Sequence, residues 1–128
     1  MSGVYLDGNA TAPARPEALE AATAALVAGG NASSVHGTGR AARSRIESAR
    51  ADVAALVGVK PGSVIFTSGG SEANALAIES AVTAGSKRLI VSAIEHPCIQ
   101  ETARRSGATV EVLPVNADGV ADLAWLAQ

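Results

Sequence analysis

The sequence predicts an α/β protein: a parallel-strand βαβαβ unit preceded by two helices. Three observations carry this expectation. After residue 62, short apolar runs at 63–67, 88–92 and 109–113 alternate with helix-length segments at 71–84 and 97–106, the signature of a parallel sheet covered by its crossover helices. Ahead of them, apolar residues recur at threes and fours along two longer segments, the spacing of amphipathic helices. The first apolar run also breaks into Gly69-Gly70 and restarts at once as a helix. The chain divides into residues 1–38, an arm, a helix and a Gly/Ser-rich loop, and residues 39–128, a long helix leading into the alternating unit.

Taken in order, Tyr5 to Asn9 reads as extended and Ala10 to Pro16, with two prolines, as a loop. Pro16 suits the first position of a helix that carries Leu19, Ala22, Leu26 and Val27 on one side and stops at Gly29-Gly30. Residues 29–39, GGNASSVHGTG, have the composition of a linker. The longest helix runs from Gly39 to Val57, with Ala42, Ile46, Ala49, Val53 and Leu56 as its apolar stripe. Arg40, Arg43, Arg45 and Arg50 fall mostly off that stripe, on a solvated or interface face. Gly58 and Pro61 end it. Near the other end, Asp118-Gly119 reads as a turn and Asp122 as the cap of a short final helix.

Composition excludes several classes. With 48% hydrophobic residues but one Phe, one Trp and one Tyr, the core is built from small aliphatic side chains. A net charge of −2 provides no footprint for nucleic acid or an acidic membrane. No run of about 18 apolar residues and no basic-then-apolar leader is present, so the expected location is cytoplasmic. The single cysteine, Cys98, rules out an intramolecular disulfide and a cysteine-pair zinc site. Neither histidine spacing nor a carboxylate cluster suggests a metal.

The chemistry concentrates in Phe66-Thr67-Ser68-Gly69-Gly70-Ser71-Glu72. At a helix start the first backbone N–H groups lack intrahelical partners and the macrodipole is positive, so an anion is welcome there. Paired glycines allow close approach of a ligand to the backbone. The loop lacks the lysine of a phosphate-loop NTPase and the G-x-G-x-x-G of a dinucleotide fold. The alternative is a plain turn with Ser71 as cap. After the second strand, Ile94-Glu95-His96-Pro97 places an imidazole just outside a helix. If the first two strands are neighbours, His96 shares a pocket with Gly70 and Ser71; the alternative is a capping or surface histidine. Cys98 reads as a packed thiol. Asn9 and Thr11 either hydrogen-bond a ligand or close a turn, and His36 reads as a structural hydrogen-bonder.

Together, Tyr5-Leu6-Asp7-Gly8-Asn9-Ala10-Thr11, the stretch from Gly30 to Arg40, Phe66 to Asn74, and Glu95-His96-Pro97 resemble the cysteine desulfurase family in order and spacing. The resemblance implies a fold-type I, class V aminotransferase that uses pyridoxal 5′-phosphate. Such an enzyme takes sulfur from L-cysteine, leaving L-alanine and an enzyme persulfide for a sulfur-acceptor protein, as in iron–sulfur cluster assembly. It further implies that Gly70 and Ser71 bind the cofactor phosphate, that His96 stacks on the pyridine ring and assists proton transfers as a catalytic residue, and that Asn9 and Thr11 lie near substrate. A homodimer is implied, with the helix from Gly39 near its interface. Ala32, Ala12 and Ala75 depart from the family pattern and loosen the subclass, leaving open a lyase for selenocysteine or a non-catalytic phosphate- or partner-binding domain. Only Lys60 and Lys87 are available as Schiff-base lysines, and neither is expected at the cradle. The resemblance therefore implies the N-terminal portion of the enzyme, with that lysine, the pyridinium aspartate, the persulfide cysteine and the substrate-binding arginine supplied by the remainder.

Overall fold

The computed structural model describes residues 4–8 and 10–127. Contacts group the chain into two compact units, residues 1–64 and residues 65–128.

In the first unit, α1 (Pro16–Ala28) opens with proline at its first position, where the missing N–H costs nothing. The linker-like segment that follows is ordered. Asn31 builds a turn, its side-chain oxygen accepting from Ser33 N (2.9 Å) and its carbonyl from Ser34 N (2.9 Å). This turn lies against α2 (Gly37–Val57), where Gly39 is buried. A Cβ on Gly39 would sit 2.3 Å from the Ser34 carbonyl oxygen and 2.8 Å from that of Asn31, so only glycine permits the approach. His36 caps α2, its Nδ1 accepting from Gly39 N at 3.4 Å. The helix ends at Gly58, whose left-handed φ of 72° suits glycine. Arg50 braces the segment beyond, donating to Glu47 and to the Val64 carbonyl, while α2 packs on a 3-10 turn at Pro61–Ser63.

The second unit holds α3 (Gly70–Thr83), β1 (Arg88–Ser92), α4 (Pro97–Arg105), β2 (Thr109–Leu113) and α5 (Leu123–Leu126). Strands β1 and β2 pair in parallel, in the register Leu89 with Val110 and Val91 with Val112. Helix α4 joins them and packs on β1, and α3 packs on α4. The expected strand at 63–67 is corrected: Ser63 belongs to the 3-10 turn, Val64 is extended, and 64–67 form no strand and have no ladder partner among the described residues. Apolar alternation specifies an extended backbone, whereas a ladder also needs a neighbouring strand. The turn at Asp118-Gly119 forms, and Asp122 Oδ1 caps α5 by accepting from Ala124 N (2.9 Å) and Trp125 N (3.0 Å). Arg88 and Glu111 form a two-pronged ion pair across the sheet. That hydrogen bonding holds the Glu111 carboxyl below the usual glutamate range.

Burial is sparse. Among the described residues the buried hydrophobic side chains are Ala42, Ala54, Val91 and Ala103, while Leu19, Leu26, Val27 and Leu56 are each more than 60% exposed. No described helix is long and apolar enough to cross a membrane.

Candidate active site

Helix α3 begins without a side-chain cap. Its first closing bond runs from Ala73 N to the Gly69 carbonyl (3.1 Å), so the N–H groups of Gly70, Ser71 and Glu72 point out of the helix end. The loop in front is braced from both sides. Thr67 Oγ1 donates to the Gly69 carbonyl (3.1 Å), and the Glu72 carboxylate folds back to accept from Ser68 N and Ser68 Oγ, both at 2.6 Å. The Ser68 hydroxyl, then the Ser68 amide, lower the Glu72 pKa. A Cβ built on Gly69 or Gly70 would meet nothing within 4 Å. The space over the exposed amides is open, and Ser71 is exposed beside them.

Helix α4 begins differently. His96 is its N-cap, with Nδ1 accepting from Cys98 N at 3.2 Å and Pro97 at the first helical position. Because Nδ1 accepts, the neutral ring carries its proton on Nε2. The approach to His96 is pinned: Ala93 N donates to the Leu113 carbonyl (3.0 Å), and Gln100 Nε2 bridges the carbonyls of Ala93 (3.4 Å) and Glu95 (3.3 Å). Gln100 went unnoticed in the sequence; its signal is its spacing, four residues beyond His96, which brings its side chain back over the helix start.

The two helix starts lie side by side. Asn74 Nδ2 donates to Cys98 Sγ at 3.5 Å, joining the second turn of α3 to the first turn of α4. Gly70 stands one turn ahead of Asn74, about 6 Å along the axis. His96 caps the end of α4 that carries Cys98, just beyond the carboxyl end of β1, and Asn74 links that end to the α3 segment that follows Gly70 and Ser71. Cys98 is half-buried between the helices, as a packed thiol should be. Thr11 belongs to the other unit, in a turn where Ala10 N and Thr11 N donate to the Asp7 carbonyl (3.1 and 3.4 Å). Asn9 lies outside the described residues. Lys87 precedes β1, at the end away from His96, with its carbonyl accepting from Thr109 N (2.9 Å). Lys60 caps the 3-10 turn of the first unit. No cluster of three or more metal-ligating side chains occurs among the described residues.

The family model for aminotransferase class-V matches residues 4–128. The chain belongs to that family. It is 41% identical to a cysteine desulfurase of Cereibacter sphaeroides over 96% of its own length and 34% of the relative's. It is also 50% identical to a selenocysteine lyase of Rattus norvegicus over 62% of this chain and 18% of that protein. The solved structure of a NifS-like protein from Rickettsia africae superposes with a TM-score of 0.82 at 33% identity, covering 96% of this chain and 34% of that one. The class-V chain thus has the fold of a fold-type I transferase segment, and spans about a third of the cysteine desulfurase it matches. Members of the family are generally dependent on pyridoxal phosphate. The α3 start fits that cofactor's phosphate: outward amides, an exposed hydroxyl and room overhead.

Proposed function

We propose that this class-V chain supplies the phosphate cradle and the ring-facing histidine of a pyridoxal-phosphate-dependent cysteine desulfurase. Its substrate is L-cysteine and its products are L-alanine and an enzyme persulfide. The main support is the uncapped start of α3, whose helix is linked through Asn74 and Cys98 to the helix that His96 caps. Amides of Gly70, Ser71 and Glu72, with the Ser71 hydroxyl, bind the phosphate dianion through the helix dipole and direct donation. The His96 ring offers a flat face to an aromatic cofactor, and its Nε2–H is the group that can donate a hydrogen bond or a proton, since Nδ1 is engaged in the cap. When bound, the cofactor supplies an electron sink for the substrate's α-carbon.

Asn9 and Thr11 act on the substrate side. The Schiff-base lysine, the pyridinium carboxylate, the persulfide cysteine and the arginine for the substrate carboxylate come from outside residues 1–128, which span about a third of the cysteine desulfurase they match. The assembled enzyme is a cytoplasmic homodimer with α2 near its interface. It passes sulfur to an acceptor protein, as in iron–sulfur cluster assembly. A second reading, a lyase acting on selenocysteine, is favoured by the 50% identity over 80 residues to the rat enzyme.

The test is to add pyridoxal phosphate to the full polypeptide carrying these residues, follow its visible absorbance, and assay sulfide from cysteine against selenide from selenocysteine. Bound cofactor and sulfide release are expected. Selenide release alone moves the assignment to the second reading, and an unbound cofactor leaves a non-catalytic domain.

A further inference from the structure

We propose that Asn74 is a positioning residue that, acting through Cys98, sets the spacing between the Gly70/Ser71 cradle and the His96 ring; the inference rests on the cofactor reading above. Asn74 Nδ2 donates to Cys98 Sγ (3.5 Å), and Cys98 N donates to His96 Nδ1 (3.2 Å). One short thread thus runs from the helix that holds the cradle to the imidazole on the neighbouring helix. Asn74 sits one turn behind Gly70 on the same side of α3, so its amide registers the cradle against α4 and not against solvent. Cys98 has two roles at once: its sulfur receives α3, and its own N–H fixes the rotation and tautomer of His96. A ligand that touches both ends, a phosphorylated aromatic, depends on this spacing. A ligand that touches the cradle alone does not.

That difference supplies the test. Pyridoxine 5′-phosphate, which has no aldehyde and so binds without a covalent bond, and inorganic phosphate are each titrated into the full polypeptide carrying residues 1–128. Asn74→Ala is expected to weaken pyridoxine phosphate about three- to tenfold, the scale of one hydrogen bond, while changing inorganic phosphate by less than about twofold. Cys98→Ala should produce the same split, and the double variant should lose no more than either single one. Cys98→Ser, which keeps an acceptor, should restore much of the discrimination. Equal weakening of both probes in Asn74→Ala would mark a general loosening of the helix pair and overturn the positioning role. Discrimination unchanged in Asn74→Ala would overturn it while leaving the cofactor reading intact. An unaltered polypeptide that binds pyridoxine phosphate no better than inorganic phosphate would overturn both.

Discussion

Glu72 Oε2 accepts both the backbone N–H and the hydroxyl of Ser68, each at 2.6 Å. A carboxylate in the first turn of a helix would ordinarily compete for the end of the dipole with any incoming anion. Here it is turned back onto the preceding loop. It braces Ser68-Gly69 and leaves the amides of Gly70 and Ser71 facing open space.

The first expectation concerns acid. Glu72 has a folded-state pKa below its usual value, because Ser68 donates twice to the charged form. The unfolded chain therefore takes up this proton more readily. The contribution is complete above the ordinary glutamate pKa of about 4.3 and fades as pH falls through the lower folded value. Glu111, lowered by Arg88, acts in the same direction. Urea denaturation followed from neutral pH downward should give Glu72→Gln a lower stability at neutrality and a shallower acid limb than the unaltered protein. Parallel acid limbs would show that the Ser68 contacts carry no linkage.

His96 has separable parts. Replacing it by alanine removes the acceptor for Cys98 N and should cost about 1 kcal/mol in denaturant titrations. His96→Asn keeps a strong capping side chain and should recover most of that loss. Both variants should nonetheless bind pyridoxine phosphate more weakly, because both lack the ring.

Ser71 should show the reverse pattern. It is exposed at the helix start and α3 has no side-chain cap to lose, so Ser71→Ala should leave stability within about 0.5 kcal/mol. Inorganic phosphate affinity, measured by calorimetry, should drop about three- to tenfold through loss of one hydroxyl donor.

Gly39→Ala tests packing away from the site. The added methyl would lie 2.3 Å from the Ser34 carbonyl oxygen and 2.7 Å from the Ser34 Cβ. Either the 31–34 turn lifts off α2 or the helix shifts, and a loss of about 1–3 kcal/mol or more is expected by thermal or chemical denaturation. A stability equal to the parent's would mean the turn is not held against the helix.

Much of this was legible in the residues because it is local. Pro16, Gly58, Pro97 and Asp122 are punctuation whose effect depends on the residue itself, and the helices they bound formed within a few positions of expectation. Strands 88–92 and 109–113 fell where the apolar runs placed them. What was hidden is non-local. Residues 64–67 carry the apolar run of a strand yet form none, because no alternation pattern names a ladder partner. The GGNASS loop looked like a linker because its composition is that of a turn, and the burial of Gly39 beneath it depends on a contact five residues away. For His96, sequence supported both a cap and a pocket residue; the structure forms the cap, which leaves Nε2 as the ring's remaining polar atom. Gln100 and the Asn74–Cys98 contact are side-chain placements that spacing permits but does not dictate.

The scarcity of sequestered aliphatic side chains has a thermodynamic corollary. When only Ala42, Ala54, Val91 and Ala103 are withdrawn from water among the hydrophobic residues described, melting the chain hydrates little fresh oily surface. Its denaturant slope and heat-capacity increment should both be small for 128 residues. The amides of α1, whose leucines face water, should exchange with deuterium well before those of α4, which encloses Ala103.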